Sequence, residues 1–412
     1  MDGPRFIKKI HAQGILSFGP TAKEIELQPL NVVIGPNGVG KSNLIDLVSI
    51  VRALPTDVAQ PFRMGGGIRN WIWSDPHQET AQLSSEIVSK SDVLRGFEHC
   101  LRFDSIEDRL NLIEEIIQTE ETKLESWDQP WLRISIKDRV AKLEVRDQSG
   151  TVGMDYTKSE LDPNATILAQ QNAIIRLAFK NSNEPLFAVV GSVLGDLADG
   201  FKSIRIFRDW GFGTLAAARR PQGADLPADF LSEDSENLAL VLNDLWLDAS
   251  VQERILDLIR EFNRQIVDLE FRVVGGTIQL VVIEGEARRP IPASRVSDGT
   301  IKFLALLAIL CHPKPPRLIC IEEPELGLHP DAIQIVAEML KEASRRTQLI
   351  VTTHSSSLVS ALSDVPEAVM VCERDFDGST TLRRLEADRL KKWLNDYSLG
   401  DLWLMGELGG TH

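Results

Sequence analysis

The chain has 412 residues, 43% hydrophobic and 25% charged, which is enough for a large core and two or three domains. Its net charge of −15 argues against a surface coated with nucleic-acid-binding groups, while leaving room for a local basic groove. No long apolar segment opens the chain, and the longest apolar helix candidate, Phe303 to Cys311, is far short of the roughly 20 residues that span a bilayer. A soluble cytoplasmic protein with no membrane partner is the expectation.

In chain order, residues 5–35 read as short strands at 6–10, 24–27 and 31–34, followed by a helix that runs to about Leu54. Residues 55–80, rich in Pro, Gly and Trp, read as a mobile surface loop. Strand candidates such as 131–136 follow, and Ser105 to Ser126 shows helical spacing with abundant Glu and Leu. From about 165 the pattern is helical, with apolar i, i+3, i+4 spacing at Leu238–Leu245 and Arg254–Ile266. Gly275-Gly276 reads as a hairpin turn between 271–274 and 278–282. From 297 onward helices and strands alternate, as in an α/β core. The region 211–235 reads as a long loop or a partner surface. The short basic clusters Lys8-Lys9, Arg219-Arg220 and Lys391-Lys392 read as solvated faces. The four cysteines are scattered without C-x-x-C spacing, so neither a disulfide nor a zinc site is expected.

The most informative stretch is Gly35-Pro36-Asn37-Gly38-Val39-Gly40-Lys41-Ser42-Asn43, set between an apolar strand and a helix. This is the G-x-x-x-x-G-K-S loop in the context that phosphate binding requires. Its glycines let backbone N–H groups turn toward phosphate oxygens, and the following helix adds its positive end. Lys41 would reach the β- and γ-phosphates, and the Ser42 hydroxyl would ligate magnesium. The loop suits ATP or GTP, and no base-reading N-K-x-D motif is visible.

Leu318–Ile321 is a buried-type strand that ends in Glu322-Glu323, a Walker B pattern. Glu322 is assigned to magnesium, directly or through water, and Glu323 is assigned as general base. A second apolar strand, 348–353, ends at His354, which can contact the γ-phosphate or hold the attacking water. Ser297-Asp298-Gly299-Thr300 opens an apolar helix about two dozen residues before Walker B, either as an anion-binding turn or as a simple N-cap.

In this order, the loop at 35–42, Ser-Asp-Gly-Thr at 297–300, Glu-Glu-Pro-Glu at 322–325, Gly-Leu-His-Pro at 327–330 and Thr-His-Ser at 353–355 resemble the SMC/RecF/OLD-like branch of the ABC ATPases. The resemblance covers nearly the whole chain. It implies an α/β fold: an ABC-type P-loop head with a mostly parallel core sheet, an antiparallel β-subdomain and a helical insertion. The corresponding lobes are residues 1–164, 165–267 and 268–412. It implies ATP and magnesium as cofactors, and Ser297 and Gly299 as a signature motif contacting ATP held by a second protomer. His354 becomes the switch histidine, and the loop after Glu323 a D-loop at the dimer interface. Gln170, Gln171 and Gln82 are candidates for the Q-loop glutamine.

The roughly 255 residues from the phosphate loop to the signature exceed what a transporter ATPase has and fall short of a long SMC arm. Fewer than 60 residues follow His354, too few for a fused TOPRIM nuclease. The expectation is an ATP-hydrolysing homodimer or larger homo-oligomer that regulates a separate nuclease or toxin in prokaryotic antiviral defence. The alternative is a RecF-like DNA-repair or DNA-clamp ATPase.

Overall fold

The computed structural model describes residues 2–21, 23–73, 80–90, 96–119, 132–137, 140–147, 150–156, 161–162, 164–181 and 186–410. The chain opens with β1 (Ile7–Gln13), β2 (Lys23–Glu26) and the fully buried β3 (Leu30–Ile34), then α1 (Lys41–Ala53) and α2 (Gln60–Met64). Next come β4 (Thr80–Val88), β5 (Gly96–Ile106), β6 (Arg109–Thr119), β7 (Leu132–Lys137), β8 (Val140–Asp147) and β9 (Gly150–Tyr156). The middle holds α3 (Gln171–Asn181), α4 (Leu186–Lys202), β10 (Arg205–Phe207), β11 (Gln222–Gly223), α5 (Leu238–Leu245) and α6 (Ala249–Phe262). Then follow β12 (Ile266–Val274), β13 (Thr277–Glu284), β14 (Arg289–Pro292), α7 (Asp298–Leu310), β15 (Leu318–Glu322), α8 (Pro330–Ala343) and β16 (Gln348–Thr352). The chain closes with α9 (Ser356–Ser360), β17 (Val369–Arg374), β18 (Thr380–Arg384), α10 (Ala387–Leu390) and α11 (Leu399–Leu404).

Two large sheets organise these elements. One is antiparallel, in the order β2-β1-β4-β5-β6-β7-β8-β9. The other, in the order β10-β15-β16-β3-β17-β18, is parallel except for its β17–β18 hairpin. Its central strands are apolar runs because both faces are covered, with α1 on one side and α7 and α8 on the other. The two sheets meet at Gln348, whose side chain accepts from the Phe6 and Ile7 N–H groups and donates to the Ile7 carbonyl. Together the two sheets form the α/β head with an antiparallel subdomain that the sequence led us to expect.

Several local expectations need correction. The described part of Ser105 to Ser126, up to Thr119, is not helical. It is the end of β5 and all of β6, whose Arg109–Thr119 run pairs antiparallel with both β5 and β7. The segment Leu110-Asn111-Leu112 also fits a period of two, and the cross-strand partners decide for strand. Residues beyond Thr119 in that stretch, and Trp131, lie outside the described residues. Residues 55–73 are not a loose loop: α2 and a 3₁₀ turn at Ile68–Asn70 bury Phe62, Ile68 and Trp71 in the core. The helix expected at 254–266 is α6, which stops at Phe262 and gives way to β12.

Residues 165–267 are not helical throughout, because β10 joins the parallel sheet and 208–237 is mostly irregular. Arg219 is not a solvated cation either, being only 4% exposed. The Gly275-Gly276 turn does connect β12 and β13, both glycines having positive φ as a tight hairpin requires.

Candidate active site

Strand register builds the site. Phe207 pairs with Ile321, Glu322 with Thr352, and Thr352 with Val33, all in parallel. The carboxyl ends of β10, β15, β16 and β3 therefore open on one rim, where ligands bind in open α/β sheets. That rim carries Arg208, Glu322-Glu323, Thr353-His354 and the loop from Gly35 to Ser42.

Gly40 immediately precedes α1 in a left-handed conformation at φ 108° and offers no side-chain cap. A Cβ there would fall 2.3 Å from Thr380 Oγ1 and 2.5 Å from Ser17 Oγ. At Gly35 it would fall 2.3 Å from the Cys372 carbonyl oxygen. The loop is gripped from outside: Arg374 donates to the Gly38 carbonyl at 2.7 Å, Thr380 Oγ1 to the Val39 carbonyl at 2.6 Å, and Asn43 Nδ2 to Ser17 Oγ at 2.6 Å. Pro36 is half-buried, Asn37 and Gly38 are exposed, and Ser42 faces solvent in the first turn of α1. The uncapped, positive end of α1 and its curled loop fit an anionic phosphate chain.

Lys41 Nζ donates to the Gly35 and Pro36 carbonyls at 2.8 Å each. Burial lowers its pKa below the usual lysine range, and Cys372 and Glu323 act in the opposite direction.

At the end of β15, burial raises the Glu322 pKa, an effect that the nearby Arg208 opposes. Glu322 Oε1 is buried without a hydrogen-bond partner, an orphan acceptor that suits a divalent cation. Glu323 adopts a left-handed backbone at φ 48°, unusual for a non-glycine residue and costing roughly 1–2 kcal/mol. The turn is held by its own N–H on the Thr352 carbonyl at 2.9 Å. Lys302 holds it from α7, donating to the Glu323 and Leu326 carbonyls at 2.9 and 2.7 Å. Burial lowers the Lys302 pKa to about 8, and its ammonium lies 4.7 Å from the Trp210 ring centre.

His354 Nε2 is 3.8 Å from Glu323 Oε1. Glu325 anchors the histidine's backbone, accepting from Thr353 Oγ1 at 2.5 Å and from the His354 N–H at 3.2 Å. Burial, then the charge of Lys41, lowers the His354 pKa, which favours the neutral imidazole, and Glu323 and Glu325 act in the opposite direction.

Lys41, Glu322, Glu323 and His354 thus share the rim. Ser297 and Gly299 do not join them. Ser297 is exposed and caps α7, its Oγ accepting from the Thr300 N–H at 3.2 Å. A Cβ on Gly299 would lie 3.0 Å from the Gly327 carbonyl, so the signature turn rests against the loop that follows Walker B. Arg219 fixes this turn from behind, with Nη1 on the Ala293 carbonyl at 3.0 Å and further bonds to the Val296 carbonyl and Asp298. Gln170 is spent on its own turn at Asp162 and Ala165, Gln171 opens α3, and Gln82 lies within β4. None of the three supplies a rim contact; Arg208 ends the edge strand instead. The reading of the sequence missed Arg208, Asp46, Lys302 and Arg374, which carry no motif of their own.

Fold and rim together define a P-loop head of the ABC ATPase class. The chain belongs to the family described as "AAA domain, putative AbiEii toxin, Type IV TA system", whose model matches residues 30–360. It is similar to the Old nuclease of Escherichia phage P2, at 30% identity over 178 residues that cover 40% of this chain and 30% of that protein. The match thus spans under a third of the relative's length. In fold, it is similar to an Smc head crystallised with the C-winged helix domain of ScpA, with a TM-score of 0.55 and 16% identity over 93% of this chain and 99% of that one. The likeness to the Smc head is one of fold, that of a P-loop ATPase-type head. Among the described residues, no helix is long and apolar enough to cross a membrane.

Proposed function

We propose that the chain binds ATP with magnesium on this rim and hydrolyses it only when a second copy closes over the nucleotide. The observation that carries this reading is the division of labour just described. Lys41, Ser42, Glu322, Glu323 and His354 gather around the N-terminal end of α1, while Ser297 is exposed elsewhere and Gly299 lies against the loop after Walker B. Magnesium, held by Ser42 and Glu322, would neutralise charge on the phosphates. Lys41 would exchange its two carbonyl bonds for phosphate oxygens. Glu323 would orient and deprotonate the water, with His354 beside it to keep that water in line. Ser297 and Gly299 would complete the partner's site.

At the level of the cell, we read the protein as a regulatory ATPase of an antiviral defence system acting on a separate effector, a nuclease or toxin. The family description names a toxin–antitoxin system, and the phage P2 relative is a nuclease. That relative also supports the second reading, a RecF-like ATPase working on DNA. Mass photometry and copurification with the neighbouring genes, for wild type and Glu323→Gln with and without ATP, separate the two. ATP-driven assembly that Glu323→Gln traps, with a co-encoded protein bound, supports the regulatory reading. Association that appears only on adding DNA supports the second.

A further inference from the structure

Because Phe207 pairs with Ile321, the next residues of the two strands, Arg208 and Glu322, emerge side by side on the rim. Arg208 Nε lies 3.3 Å from Glu322 Oε1, and its Nη1 lies 2.6 Å from Asp46 Oδ1. Asp46 stands four residues after Ser42 on α1, one helical turn away on the same face. One guanidinium therefore sits between a carboxylate of the magnesium site and a carboxylate just outside it.

Both contacts are ion pairs, the one to Asp46 being the shorter. Neither Nε nor Nη2 of Arg208 makes a hydrogen bond, and Glu322 Oε1 has none either, so Glu322 is held by charge without a directed bond. Arginine keeps its charge at any working pH, so a magnesium ion arriving at Glu322 meets a fixed positive group. That group has somewhere to go. Arg208 lines a cleft of about 700 Å³ whose walls include Asp46, Asp209 and Asp234.

We propose that Arg208 is an internal counter-cation for the Walker B carboxylate. It holds Glu322 before magnesium arrives and withdraws toward Asp46 and Asp209 when the ion binds. The proposal rests on the ATP–magnesium reading above and adds a function for the edge strand. Free magnesium has to displace a guanidinium, whereas magnesium carried by nucleotide phosphates brings further ligands to the exchange. The divalent ion is therefore admitted together with ATP in preference to alone.

The test uses the full chain carrying Glu323→Gln, so that hydrolysis does not interfere, with a fluorescent ATP analogue as probe. Binding is followed across a magnesium titration and separately in EDTA, for Arg208 intact, Arg208→Ala and Arg208→Gln. The glutamine variant keeps a polar head should the alanine variant fail to fold, and melting in EDTA reports folding for both. The expected result is a fall of about fivefold in the magnesium concentration at half-saturation, with binding in EDTA unchanged. Weaker binding in EDTA as well would make Arg208 a phosphate ligand and overturn the proposal. An unmoved titration would make it a bystander and overturn it too. Absence of nucleotide binding by the chain with Arg208 intact would instead contradict the ATP reading itself.

Discussion

The nucleotide rim and the signature turn are built in opposite ways. Around the rim, charged side chains converge: the charge of Glu323 acts on Lys41, Glu322 and His354, and that of Lys41 acts on His354. At the signature turn, Ser297 points outward and uses its hydroxyl only within its own turn, while the rigidity comes from Arg219 behind it. The rim has what is needed to hold and attack a phosphate chain. The turn has a fixed shape and an exposed serine, which suits a surface meant for another molecule's nucleotide. Lys302 links the two regions, since it belongs to the signature helix and grips the backbone of Glu323.

The sharpest test of this contrast is at the rim. Glu323→Gln should lower ATP turnover by about 10²–10⁴-fold while nucleotide affinity holds, as expected of a lost general base. Equal loss of affinity would move Glu323 from chemistry to binding. The next largest effect falls behind the turn. Arg219→Ala removes a 4% exposed cation from three carbonyls, those of Phe212, Ala293 and Val296, and from Asp298, and should destabilise the fold by about 2–3 kcal/mol in urea titration. An unchanged midpoint would mean that the turn is not held from behind.

Lys302 predicts a pH limb. Its pKa of about 8 means that the ammonium is charged below that pH and loses its charge above it. Turnover should therefore fall as pH rises through about 8, and Lys302→Arg, charged throughout, should move that limb to higher pH. A wild-type profile flat from pH 7 to 10 would remove Lys302 from control of the Glu323 loop. The smallest effect is Ser297→Ala, which should cost about 1 kcal/mol of stability as a lost cap and leave the affinity of an isolated protomer for ATP unmoved.

The legible parts of the molecule are those whose chemistry is local in sequence. The phosphate loop, Glu322-Glu323 and His354 each end an apolar strand and announce themselves by residue type and spacing. The parallel sheet follows from the same strands. Arg208 and Asp46 were not legible, because β10 joins β15 from more than a hundred residues away and only the register sets Arg208 beside Glu322. Arg219 read as a surface cation because nothing in Arg-Arg reveals that carbonyls 74 and 77 residues away converge on it. The β6 run read as helix for a related reason: Leu and Glu serve either period, and pairing with β5 decides.

The most direct test of a site divided between two chains is complementation. A Lys41→Ala protomer should be unable to use its own rim, and a Ser297→Arg protomer unable to complete its partner's. Each alone should be inactive. Mixed in equal amounts, they should recover about a quarter of wild-type turnover, since half of the random dimers then contain one intact composite site of two. A mixture as inactive as its components would contradict the division. So would a Ser297→Arg chain that hydrolyses ATP normally by itself.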